Sequence, residues 1–167
     1  VNRRPAAGIV AVLFAAVLAF IGWRAVDERQ DQAASVAYVT SHGVTVKRSA
    51  SGKAPPRELV EPAIERAPAF WCEKRPADCP KMRDALRGAS LGFVDTETVH
   101  YAGRPSNMRG ATAGRQMAVT QAHGDATTAA LVTHECGHVL LSAAGEDPGP
   151  NGGERHHELM RLAGWGF

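Results

Sequence analysis

From Pro5 to Trp23 the chain carries no charged side chain, and Ala, Val, Leu, Ile and Phe dominate the run. A helix of roughly 20 apolar residues is what a hydrocarbon core of about 30 Å requires, whereas a helix buried in a globular core normally keeps a polar face. The pattern predicts one transmembrane signal anchor over 5–23. Arg3 and Arg4 would hold residues 1–4 in the cytoplasm by the positive-inside tendency. A cleaved signal peptide is the nearest competitor, but Gly22-Trp23-Arg24-Ala25-Val26-Asp27-Glu28 follows the run directly. The small-x-small triplet Ser35-Val36-Ala37 lies well past the membrane edge. The expected layout is therefore a stalk over 24–35 and a folded domain over 36–167, facing the periplasm or cell exterior from the cell (inner) membrane.

The 167 residues suffice for one compact domain plus that appendage. The 19 basic and 17 acidic side chains leave a net charge of +2 with no basic stripe, which argues against a nucleic-acid partner. Cys72 and Cys79 flank the turn-like Glu-Lys-Arg-Pro-Ala-Asp, so a disulfide between them is a candidate in an exported domain. Cys136 is left as a small core residue.

Along the domain, β-like runs at Val36 to Thr40 and Val44 to Lys47 surround the turn Ser41-His42-Gly43. Leu59, Val60, Ile64 and Ala67 recur at helical spacing over Arg57 to Ala67 despite Pro62, and Pro80 opens a short helix with Met82, Ala85, Leu86 and Ala89 on one face. A β-like run over Phe93 to Tyr101, a Gly-rich loop over Gly103 to Gly114 and another β-like run over Arg115 to Gln121 follow. Asp125 is the expected N-cap of a helix from Ala126 to Ala144, which Gly145 ends. A Gly- and Pro-rich loop over Glu146 to Gly153 leads to a last helix, Glu154 to Leu162. The fold class is α+β, with a small mixed sheet.

The long helix carries His134-Glu135-Cys136-Gly137-His138. Four residues apart, the two imidazoles emerge one turn apart on one face and reach a common ion. Zinc suits such donors and, in a three-ligand site, keeps a position open for water, from which Glu135 can remove a proton. Leu131, Val132, Val139 and Leu140 provide the apolar backing that the helix needs.

The segment Leu131 to Leu140 resembles the active-site helix of the zincin superfamily of metallopeptidases. That resemblance covers the helix only, and implies a mixed sheet whose edge strand binds the substrate backbone, a third ligand from downstream, and hydrolysis of a peptide or protein substrate with Glu135 as general base. Met117 to Gln121 is the candidate edge strand. The metzincin pattern would need Gly at Leu141 and His at Ala144, so that branch is not matched. A third histidine beyond a flexible loop is similar to SprT-like and other small bacterial or phage-borne zincins. His156 is preferred because it shares a helical face with Leu159, Met160 and Ala163; His157 and Glu158 are the alternatives. His123 and Tyr101 are candidates for stabilising an oxyanion. The rival readings are a structural zinc module and a metal-free, membrane-tethered interaction domain.

Overall fold

The computed structural model describes residues 36–101, 104–105, 107–146 and 154–162, with side chains left undescribed at 101, 104 and 105. The expected anchor over 5–23 and stalk over 24–35 lie outside these residues. Among the described residues no helix is long and apolar enough to cross a membrane.

A five-stranded mixed sheet is formed by β1 (Val36–Val39), β2 (Thr45–Lys47), β3 (Ser90–Val94), β6 (Gly110–Ala113) and β7 (Gln116–Thr120), in the order β1-β2-β3-β7-β6. Strands β1 and β2 form an antiparallel pair whose turn places Gly43 at φ 75°, a conformation that costs glycine little. Strand β2 runs parallel to β3, and β3 parallel to β7. Parallel neighbours need a long crossover; between β2 and β3 it consists of α1 (Arg57–Lys74) and α2 (Cys79–Leu86). Strands β4 (His100–Tyr101) and β5 (Arg104–Pro105) pair with each other in a separate two-stranded ribbon.

Alternate side chains of the central strands point to one face: Val46, Leu91, Phe93, Met117 and Val119 are buried. They join a single apolar core with Val60, Ile64 and Trp71 of α1, Met82 and Leu86 of α2, and Leu131, Val132, Leu140 and Leu141 of α3 (Asp125–Ala143). The result is α+β, with helices packed on that face of a small mixed sheet.

Helix α1 runs to Lys74, beyond the expected end at Ala67, and contains both Pro62 and Pro68. Each proline deprives the carbonyl four residues earlier of its donor. Burial of Val60, Ala63, Ile64, Ala67 and Trp71 against the core outweighs that loss, and the buried Thr133 hydroxyl of α3 donates to the Ala63 carbonyl at 2.9 Å. Cys72 in the last turn of α1 and Cys79 at the start of α2 are joined by a disulfide, with Cα atoms 4.6 Å apart.

Two local expectations are corrected. Gly124, at φ 85°, occupies the N-cap of α3, and Asp125 is the first helical residue with no side-chain cap bond. The stretch read as a Gly-rich loop, 103–114, contains β5 and β6. At the far end α3 closes as foreseen: Gly145 at φ 86° donates its N–H to the Ser142 carbonyl, and Glu146 donates to Leu141, both at 3.0 Å. This is the paired bonding of a Schellman cap.

Candidate metal centre

His134 and His138 project one turn apart from α3, with ring centroids 5.0 Å apart. Helix α4 (Glu154–Leu162) brings the exposed His157 over both, at 5.3 Å from His134 and 4.8 Å from His138. One nitrogen from each of the three rings falls within 4.8 Å of the others, so these histidines lie close enough to bind one metal ion. His138 Nε2 and His157 Nε2 are 3.1 Å apart, close to the ~3.3 Å edge of a tetrahedron whose imidazole ligands stand about 2.0–2.1 Å from zinc. Two of the three donors are shifted towards the neutral form. Burial, then the neighbouring rings of His134, His157 and His156, push the His138 pKa down to about 3, and burial followed by His156 lowers that of His157. Metal ligation requires neutral imidazole.

His156, the preferred third ligand from the sequence, is not in this triad. Adjacent helical residues point about 100° apart; His157 meets the rings of both His134 and His138, while His156 approaches that of His138 from the interior side. The apolar stripe correctly locates His156 in the interior, where it is 1% exposed beside the buried Met160. The metal-ready rings, however, meet at the rim of the core. Glu158 is directed elsewhere and pairs with Arg155 at 2.5 Å.

Glu135 is 3% exposed and turns towards β6, where Thr112 Oγ1 donates to its Oε2 at 2.6 Å. Burial raises its pKa to about 7 against the lowering effect of the Thr112 bond, placing the carboxyl where it both accepts and releases a proton near neutral pH. Gly110, two residues from Thr112 on the same strand face, leaves room for the other oxygen: a Cβ there would stand 2.2 Å from Glu135 Oε1. Gly110 and Thr112 are site residues that the sequence reading missed; their alternation within Gly-Ala-Thr-Ala was the available signal.

The edge-strand expectation is corrected as well. Met117 to Thr120 belongs to β7, which is paired on both sides, with β3 and β6. The sheet ends at β6, antiparallel to β7 and in contact with Glu135. Of the other candidates, His123 Nε2 lies 3.0 Å from the Glu97 carbonyl, and the side chain of Tyr101 lies outside the described residues. His42 is engaged with Glu65. Cys136 is fully buried, its Sγ 3.8 Å from Met117 Sδ, and burial followed by the charge of Glu135 pushes its thiol up to about 12; it is a packed thiol on the side of α3 that faces the sheet.

Gly137 lets the two histidine-bearing helices close on each other. A Cβ at this position would lie 2.7 Å from Met160 Sδ and 3.8 Å from Trp71 Nε1, and Met160 has no exposed surface into which to retreat. Gly137→Ala is expected to cost about 1–3 kcal/mol of stability and to weaken metal binding by pushing α4 outward. Chemical denaturation together with metal titration checks both effects; unchanged values in both would show that the helices have slack here.

Comparison with known protein families, with curated proteins and with solved structures finds no match for this chain.

Proposed function

We propose that this domain is a zinc-dependent peptidase that hydrolyses peptide bonds with Glu135 as general base, on a site similar to those of small, SprT-like zincins. The observation that carries the proposal is the placement of Glu135. A buried carboxyl with a pKa near neutrality sits between His134 and His138 in sequence and is tied to β6, the last strand of the sheet among the described residues.

His134, His138 and His157 would hold the ion, which supplies Lewis acidity towards water and the scissile carbonyl. Glu135 accepts one proton from the attacking water and returns it to the departing amine nitrogen. Water is thereby divided between a new carboxyl group and a new amine, without a covalent enzyme intermediate. Thr112 holds Glu135 Oε2 in place during both transfers. Among the described residues no strand pairs with the outer side of β6, whose backbone N–H and C=O groups would receive an extended peptide as a further strand. Membrane attachment through 5–23 belongs to the same proposal, and would restrict cleavage to substrates near the outer surface of the cell membrane.

The test is zinc content and peptide cleavage of the full chain beside His134→Ala and His157→Ala. About one zinc per chain in the parent, lost or weakened by well over 100-fold in both variants together with cleavage, is expected; removing one of three ligands costs more than the 10–100-fold typical of an outer-shell change. A folded parent that takes up no zinc would sink the proposal and favour a metal-free interaction domain. Stoichiometric zinc without cleavage of any peptide in a broad library would favour a structural zinc module.

A further inference from the structure

His156 is a buried polar side chain that the proposed chemistry leaves without a role. Its two ring nitrogens face two different partners: Nε2 lies 3.1 Å from the Glu146 carbonyl oxygen, and Nδ1 lies 3.3 Å from His138 Nδ1. A carbonyl only accepts, and a neutral imidazole has one N–H and one lone pair. His156 therefore places its hydrogen on Nε2, which makes its Nδ1 an acceptor. The hydrogen between the two rings then belongs to His138 Nδ1. This leaves the His138 lone pair on Nε2, the nitrogen that faces His157 Nε2 at 3.1 Å.

The anchor of this relay is itself fixed. Glu146 donates its N–H to the Leu141 carbonyl at 3.0 Å, while its carboxylate accepts from Arg75 Nη2 at 2.6 Å. Arg75 also pairs with Asp78 at 3.5 Å and lies between the two bridged cysteines. The acceptor that orients His156 is thus pinned at the end of α3 and against the disulfide-closed turn.

We propose that His156 is a positioning residue: it selects the Nδ1–H form of His138 and aims its Nε2 at the metal position, setting metal affinity without ligating. This rests on the metal reading of the site. Metal-bound histidines generally give their other ring N–H to an acceptor that fixes the tautomer, and loss of such a partner costs about 10–100-fold in metal affinity. Here the acceptor is a second histidine, and the neighbouring residue on the same helix is the ligand.

The experiment compares the parent chain with His156→Gln and His156→Leu. Gln retains an acceptor and a donor on one planar group, so it can receive from His138 and give to Glu146; Leu fills the space and does neither. Zinc competition against a chelator should give one zinc per chain in all three proteins, with affinity within a few-fold of the parent for Gln and about 10–100-fold weaker for Leu. Proton–nitrogen correlation spectra of the metal-free protein should show His138 as the Nδ1–H tautomer in the parent and in Gln, with that preference lost in Leu. Two results would overturn the proposal: equal affinity in Leu and parent, or loss of zinc in Gln as complete as in His157→Ala, which would make His156 a ligand. A parent that binds no zinc defeats the metal reading on its own. The tautomer of His138 in that same metal-free parent still decides the relay, since an Nε2–H ring there refutes it. The parent spectrum and the Gln variant also carry the test if Leu fails to fold.

Discussion

Glu135→Gln is expected to lower peptide cleavage by about 10²–10⁴-fold, the range that a positioned general base contributes, while metal content stays at the parent level. Glutamine keeps the volume and can still accept from Thr112 Oγ1, but has no basic oxygen for the proton of water. The same substitution should make the metal-free protein more stable. Burial raises the folded-state pKa of this carboxyl from 4.5 to about 7. As pH climbs between those values, the unfolded chain gives up the proton while the folded chain retains it. Folded protein then binds more protons than unfolded, so stability falls with rising pH across this window and levels off above it. The total is on the order of 3 kcal/mol, and Gln removes it. Denaturation midpoints in chelator from pH 4 to pH 9 should therefore diverge between parent and variant, with the variant ahead at the alkaline end; parallel curves would show that Glu135 is better solvated than its burial indicates. Lower activity with higher metal-free stability is what a base held in an unfavourable environment predicts, since a merely structural glutamate would lose stability on replacement.

Gly110→Ala should reduce cleavage by about 10²-fold while metal binding survives. The added methyl would meet Glu135 Oε1 at 2.2 Å and its carboxyl carbon at 2.9 Å, distances that no pair of atoms sustains. Of the two, the side chain gives way more easily than the backbone of a paired strand, so the carboxylate swings off and gives up its bond to Thr112. A displacement on the order of 1 Å at a reacting group costs about 10²-fold. His134, His138 and His157 are carried on α3 and α4 and not on the substituted strand, so zinc stoichiometry is the internal control. Cleavage at the parent rate would mean that the edge strand and the base are not keyed to each other.

What could be read from the sequence divides along physical lines. Helix α3 was legible in type and extent because a long apolar-backed stretch and a terminal glycine agree, and the four-residue spacing of His134 and His138 fixes their common face whatever surrounds them. The burial of His156 was equally legible from its stripe. Its absence from the triad was not, because periodicity tells which side of a helix faces the interior and not where, on the rim of that interior, two helices bring their rings together. Strand β6 escaped notice since three of its four residues are Gly or Ala, which are depleted in strands; its pairing with β7 is decided by a two-residue turn at Gly114 and by what lies beneath. The extension of α1 through Pro68 likewise depends on contacts with α3 that no local signal announces.

Three cysteines allow three different pairings, and only one of them leaves this domain intact. Cys72 and Cys79 are neighbours across a short turn, whereas Cys136 has no exposed surface and a thiol that stays protonated at any physiological pH. Thiol–disulfide exchange needs an accessible thiolate. Once α3 has docked, the odd cysteine is withdrawn from that chemistry, and an oxidant meeting the domain finds a single bridge to make. Packing thus acts as the proofreader of oxidation, with the cysteine that falls between His134 and His138 in sequence turned to the sheet and shielded from the reagent that staples the turn beside Arg75.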